Sequence, residues 1–323
     1  MSELRWHPIL EEWVVTATHR QDRTFLPPAD YCPLCPTLPG GIPTEIPTSD
    51  YQFVVLENKF PSFQRVPPPP AVTGDELYKV MPAEGICEVI LYSPDHNSAL
   101  ADRPVTDFVR LIRVWTERYR ELANNPQIAY VFIFENRGEA IGVTLTHPHG
   151  QIYAFPFIPP KIQRELDAAL HYHERTGACL FCAIVRKEQI AASRIVAEGS
   201  SWLACVPFFA RYPYETHLLS KIHRESLLDL TPIEVRDLAW LLKVTLSKFD
   251  RLWQVPLPFM MVMHQAPTDG LKRPGVHLHI EFYPPMRTRD KLKYLAGCES
   301  GAGTFINDAL PEEKAAELRA IPV

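Results

Sequence analysis

The side chains with the most chemistry in this sequence are cysteines and histidines, and they come in an ordered series. Cys32-x-x-Cys35 is followed by His96 in YSPDH and by His147-x-His149 in THPHGQ; Cys179-x-x-Cys182 is followed by His223 in SKIH and by His277-x-His279 in HLH. A C-x-x-C turn presents two thiolates to one ion, and two remote imidazoles complete the tetrahedral shell that Zn2+ prefers. A single pair serves equally well as a redox couple or as two buried thiols. Two pairs, each followed by histidines in the same order, point instead to zinc held by Cys32, Cys35, His96 and His147 and by Cys179, Cys182, His223 and His277. If the first histidine of each H-x-H is the ligand, the second is left over, and in extended chain it projects from the same face. Those leftovers are His149 and His279. Neutral imidazole is a good nucleophile near pH 7, Gly150 leaves room for a ligand, and Gln151 offers an amide donor. The residues alone leave His149 as either a nucleophile or a packed histidine. Cys87, Cys205, Cys298, His7, His19, His171, His173 and His217 have no partners at ligand spacing and read as packing or surface residues.

Such side chains need a scaffold, and the sequence supplies the same one twice. Each series runs from the cysteine pair through a strand ending at a histidine, then a helix, then a strand, then H-x-H. His96 to His147 spans 51 residues and His223 to His277 spans 54, while the cysteine pair lies 61 and 41 residues ahead of its first histidine. The excess in the first copy falls where it carries proline-rich connections, TLPGGIPTEIPTS and VPPPP. Runs rich in β-branched and aromatic residues at 51–58, 85–93 and 128–136 predict strands. Phe108, Ile112, Trp115, Tyr119 and Leu122 recur at helical spacing, which predicts a helix over 106–122 with Thr106 near its cap. A second helix is expected from Pro232 to Phe249, with Thr231 as cap and Pro232 at its first position. The expectation is an α+β chain in two similar halves, residues 1–160 and 161–323, with helices packed on antiparallel sheets.

A chain of 323 residues, 46% hydrophobic and 22% charged, buries a sizeable core. Its net charge of -5 supplies no basic field for a nucleic-acid backbone, and no run approaches the ~20 apolar residues of a membrane span. Small-molecule chemistry is expected, with neither nucleic acid nor membrane as partner. Seven cysteines, four of them in ligand-like pairs, suit reduced thiols in a reducing cytoplasm rather than a secreted disulfide framework.

THPHGQIYAFPFIPP resembles the active-site segment of galactose-1-phosphate uridylyltransferases, a branch of the histidine-triad superfamily. CPLC, ENKFPSF, YSPDH, FENRGEAIG, FMMVMHQAP, HLHIEFYPP and KYLAGCESGAGTFINDALPEEKAAELR resemble further family segments in family order, so the resemblance covers essentially the whole chain. It implies a duplicated histidine-triad-like fold, and a ping-pong reaction in which His149 takes a uridylyl group from UDP-glucose and passes it to galactose 1-phosphate. Gln151 then hydrogen-bonds the transferred phosphoryl group, and Cys32, Cys35, His96 and His147 match the family's structural zinc site. Arg20, Arg23, Asn136 and Thr144 match phosphate-contacting positions, Asn58 a nucleoside-pocket position, and Lys293 and Glu299 positions that bind hexose or phosphate. The resemblance also implies a homodimer whose sites draw residues from both subunits.

Three departures bear on those expectations. Lys59 stands where the best-known members have an acidic residue near the ribose, and Thr144 where they have serine. The family's metal site of one glutamate and three histidines corresponds to Glu165, His264, His279 and Glu281, with glutamate in place of the last histidine. The Cys179, Cys182, His223, His277 set and the GAGTFIND stretch resemble relatives such as ADP-glucose phosphorylases, which makes phosphorolysis or hydrolysis of a nucleotide sugar by the same histidine the alternative activity. The cysteine set is preferred for the second zinc, because thiolate and imidazole suit that ion and repeat the first half.

Overall fold

The computed structural model describes residues 2–23, 27 and 31–323. Strands β1 (Ser2–His7), β2 (Glu12–Ala17), β3 (Val54–Glu57), β4 (Val80–Pro82) and β5 (Ile86–Leu91) precede helix α1 (Val105–Ala123), and β6 (Tyr130–Arg137) and β7 (His149–Phe155) follow it. Next come α2 (Pro160–Thr176), α3 (Leu180–Ala191), β8 (Ile195–Glu198), β9 (Trp202–Cys205) and β10 (Thr216–Ser220). The chain ends with α4 (Pro232–Arg251), β11 (Phe259–His264), β12 (His279–Tyr283), β13 (Met286–Thr288), β14 (Lys291–Leu292), α5 (Gly297–Ala302) and α6 (Pro311–Ala320).

The duplication is built into one nine-stranded sheet of order β3-β5-β7-β6-β11-β12-β10-β9-β8. From its middle outward the two halves repeat: the strand before H-x-H, the strand that begins inside H-x-H, the strand leading to SPDH or SKIH, then one outer strand in the first half and two in the second. They join where β6 pairs antiparallel with β11, from Arg137 opposite Phe259 to Ile133 opposite Met263. The chain is thus α+β with antiparallel pairing throughout this sheet.

Alternation decides what each face carries. On β6, Val131 and Ile133 point to the helical face, as do Ile152 and Ala154 on β7 and Ile280 and Phe282 on β12. They meet Phe108, Leu111, Ile112, Trp115, Tyr119 and Leu122 of α1 and Leu238, Leu241 and Leu242 of α4 in one core that runs across both halves. Burying that apolar stripe is the main reason these helices lie on the sheet. α4 begins as its sequence predicts, with Thr231 accepting from the amide of Glu234 in a capping box. α1 does not: its cap position is Pro104, without a side-chain cap, and Thr106 already lies inside the helix. Proline's fixed φ takes the last extended position and starts the helix one residue earlier than the threonine suggested.

The opposite face carries His149, Gln151 and Tyr153 from β7 and His279, Glu281 and Tyr283 from β12. The two halves cover it differently. In the first, Leu4 of the small sheet β2-β1-β4 and Phe63 of the connection between β3 and β4 pack near Tyr153 and Phe155, and the Cys32 loop packs Leu34 and Ile46 on Val89 and Leu91. In the second, α3 sets Phe181 and Val185 on Leu203 and Leu219, and α2 lies beside it.

Candidate active site and metal centres

Both cysteine–histidine series converge as the spacing predicts. The donor atoms of Cys32, Cys35, His96 and His147 lie within 4.8 Å of one another, and so do those of Cys179, Cys182, His223 and His277. Cys35 Sγ is 3.5 Å from Nδ1 of both His96 and His147, and Cys182 Sγ is 3.8 Å and 3.7 Å from Nδ1 of His223 and His277. Zn–S and Zn–N bonds of ordinary length at a tetrahedral angle put sulfur and nitrogen about 3.6 Å apart, so both sets fit zinc. The other ring nitrogens are spoken for in parallel: His147 Nε2–H donates to the Ser93 carbonyl at 2.8 Å and His277 Nε2–H to the Ser220 carbonyl at 2.9 Å. This fixes the tautomer that turns each Nδ1 lone pair toward the thiols. Burial and the neighbouring thiols raise Cys35 and Cys182 to about 11, and burial drops His277 to about 3. A bound cation would favour the deprotonated thiolates such a centre uses.

His147 sits in the bend before β7, and the strand itself begins at His149. The two histidines therefore do not share one strand, yet the bend lets one serve as donor while the other enters the sheet. His149 Nδ1 lies 2.7 Å from the His147 carbonyl, which accepts a hydrogen bond from Nδ1–H and leaves the Nε2 lone pair free. Burial holds the His149 pKa below its ordinary 6.5 against the pull of that carbonyl, so the ring is neutral near pH 7. It faces a pocket of about 210 Å³ that is also lined by Arg20, Arg23, Asn58, Asn136, Thr144 and Gln151. Seven residues singled out from the sequence thus meet around one hollow. Lys59 lines it too, 3.4 Å from Glu45. Arg20 is anchored by its bond to the Phe60 carbonyl at 2.7 Å, and Asn58 accepts from the Phe60 amide at 2.9 Å.

Lys293 and Glu299 do not line this pocket. They pair with each other at 3.2 Å, with the Lys293 Nζ also on the Ile306 carbonyl, in the segment after β14. Reading residue by residue also missed pocket side chains. Tyr153 and Phe134 line the hollow edge to face, 5.0 Å apart. Tyr153 was within reach, because the two-residue period that pairs His149 with Gln151 continues to it.

The second half repeats the geometry and closes it. His279 Nδ1 is 2.8 Å from the His277 carbonyl, as in the first half, but Phe181 covers its ring at 4.4 Å and α2 delivers Glu165. The space left there is about 20 Å³. Glu281 occupies the position of Gln151 and takes Lys161 Nζ at 2.6 Å. Glu165, His264, His279 and Glu281 bring their donor atoms within 4.8 Å of one another. His264 Nδ1 stands 2.8 Å from Glu165 Oε2 and His279 Nε2 3.6 Å from Glu281 Oε1, and among the described residues neither buried nitrogen makes a well-formed hydrogen bond. The structure therefore assembles both ligand sets that the sequence offered as alternatives, from different residues. His217, read as a packing residue, belongs to this cluster: it lies 2.9 Å from Glu215 and 3.4 Å from Glu281. Although burial opposes it, His217, His264, His279 and Lys161 hold the Glu281 carboxyl well below the usual range.

Fold and site together define a class: duplicated α+β proteins in which one H-x-H segment opens on a pocket that holds two arginines and its copy is sealed. Residues 1–159 match the N-terminal domain of galactose-1-phosphate uridyl transferase and residues 165–323 its C-terminal domain. The chain belongs to the galactose-1-phosphate uridyl transferase family. A galactose-1-phosphate uridylyltransferase of Thermotoga maritima is 40% identical over 99% of this chain and 98% of its own length. One of Haemophilus influenzae is 33% identical, over 98% and 93%. A solved structure described as a uridylyltransferase superposes with a TM-score of 0.86 at 37% identity, covering 98% of this chain and 97% of that one.

Proposed function

We propose that the protein is a UDP-glucose:hexose-1-phosphate uridylyltransferase of galactose metabolism, working through a nucleotidyl-histidine on His149. His149 Nε2 attacks the α-phosphorus of UDP-glucose; the bond to the bridging oxygen breaks and glucose 1-phosphate leaves with that electron pair. An oxygen of galactose 1-phosphate then attacks the same phosphorus, the P–N bond breaks, and His149 is regenerated. Splitting one exchange into two displacements is the use of a covalent intermediate. The His147 carbonyl accepts from His149 Nδ1–H, holding the proton on that nitrogen, and supports the imidazolium that forms. Gln151 donates to the transferred phosphoryl group. Arg20 and Arg23, with Asn136 and Thr144, hold phosphate oxygens, and Asn58 faces the nucleoside. The observation that carries this reading is the neutral, Nδ1-tethered His149 opening with Gln151 onto a pocket that holds two arginines.

In this reading residues 1–160 form the half with the nucleophile, and residues 161–323 the half with the second zinc set and the sugar-binding tail. The two cysteine–histidine sets hold zinc as a structural ion, the first fastening the Cys32 loop to the segment that aims His149. Lys293 and Glu299 serve hexose binding in a homodimer, where the partner's copies reach the pocket, which accounts for their distance from it within one chain. The four paired cysteines, as reduced metal-binding thiols, favour the cytoplasm as its compartment. Among the described residues no helix is long and apolar enough to cross a membrane.

The test is exchange. Purified protein is incubated with UDP-, ADP- and GDP-glucose, each with and without galactose 1-phosphate. UDP-galactose and glucose 1-phosphate should form only when UDP-glucose and the hexose phosphate are both present. Turnover with phosphate or water alone would make it a phosphorylase or hydrolase.

A further inference from the structure

His149 and Gly150 are held by hydrogen-bonded ladder pairing on one side only. β7 pairs with β5 up to Leu91 opposite His149, whereas its pairing with β6 ends at Phe134 opposite Gln151. Beyond that point a cavity of about 390 Å³ opens, lined by Glu135, Asn136, Pro148 and His149. One buried contact spans the place where the ladder stops. Tyr92, just past the end of β5, donates its hydroxyl to Glu135 of β6 at 2.9 Å, and the two are 1% and 7% exposed. That hydroxyl lies directly beneath Gly150: a Cβ there would stand 2.1 Å from it. The same tyrosine donates its amide to the Pro148 carbonyl at 3.3 Å.

We propose that Tyr92 and Glu135 are a positioning pair for the transfer reaction, in which the ionised Glu135 carboxylate holds the Tyr92 hydroxyl under Gly150. This strut, in place of a ladder bond to β6, fixes the main chain from which His149 and Gln151 project. The inference rests on His149 being the nucleophile.

The pair carries its own titration. Burial pushes the Glu135 carboxyl up to about 7; Arg137 of the same strand and the Tyr92 hydroxyl pull it down, and Asp250 of α4 pushes it further up. His96, Glu139, His147 and His149 also line the adjoining cavity. Burial and Glu135 keep the Tyr92 hydroxyl protonated, so it is the donor. Hydrogen bonds to a carboxylate are about twice as strong as those to a neutral acceptor, so the strut slackens as pH falls through that range.

The experiment measures kcat and KM between about pH 6 and 8 for the parent, Glu135→Gln and Tyr92→Phe. The parent should gain about tenfold in kcat across the range, with a midpoint near 7, since small misplacement of a reacting group costs rate before affinity. Both variants should sit at the lower rate at every pH, with the limb gone and KM for UDP-glucose within about threefold of the parent. Folding is monitored in parallel. A folded-state pKa raised above the unfolded value costs stability as pH rises through it, so Glu135→Gln should unfold no earlier than the parent at pH 8. Variants that keep the parent's rate and limb would overturn the proposal. A parent without exchange would overturn the functional reading on which it rests.

Discussion

The two histidines of THPHGQ part company through the ring nitrogen each commits. His147 turns Nδ1 to the thiols and donates its Nε2–H to the Ser93 carbonyl, whereas His149 donates its Nδ1–H to the His147 carbonyl and keeps Nε2 for the pocket. Gln151, one step along the same strand face, completes the pocket wall. Truncating it to alanine should lower kcat about 100-fold and leave KM within a few fold, because a donor aimed at developing charge matters most in the transition state. Steady-state kinetics at saturating UDP-glucose check this, and a change confined to KM would make Gln151 a ground-state contact. The ligand sets were legible in the sequence because their members recur in one order with little drift. His217 was not, because its partner Glu281 reaches it only through the register of β10 on β12, where the two lie opposite each other. Tyr92 and Glu135 escaped for the same reason, since neither residue type announces a strut between strands.

At the level of strands and helices, the same unit serves two ends according to what is laid over it. The helical face is alike in both copies, and the apolar spacing of α1 and α4 made it readable in advance. The exposed-edge details were less so: the start of α1 was set by Pro104 rather than Thr106. The site face differs because the first copy is covered by a small sheet and a loop, which leave a hollow, and the second by α2 and α3, which fill it. Cover of that kind depends on segments far away in sequence, so no local pattern revealed it. The metal sets should divide along this line. Metal analysis should find two zinc ions per chain, falling to one in Cys32→Ser and to one in Cys179→Ser. Only the Cys32 change should cost about tenfold or more in transfer, since only that loop is tied to the His147 segment. Equal loss of transfer in both variants would mean that the second set also governs the pocket.

Across the whole molecule, nine strands and one continuous core join the halves, so the sealed copy is part of the framework that holds the open one. This two-sided build gives each chain two tethered histidines of the same design, His149 and His279, but room for chemistry at one: about 210 Å³ against about 20 Å³. A stoichiometry follows. Protein treated with UDP-glucose labelled at the α-phosphate, with no acceptor, should release glucose 1-phosphate and retain one acid-labile nucleotidyl group per chain. Peptide mapping should place it on His149, and His149→Ala should carry none. A chain that turns over without retaining label, or that carries it on His279, would contradict the account.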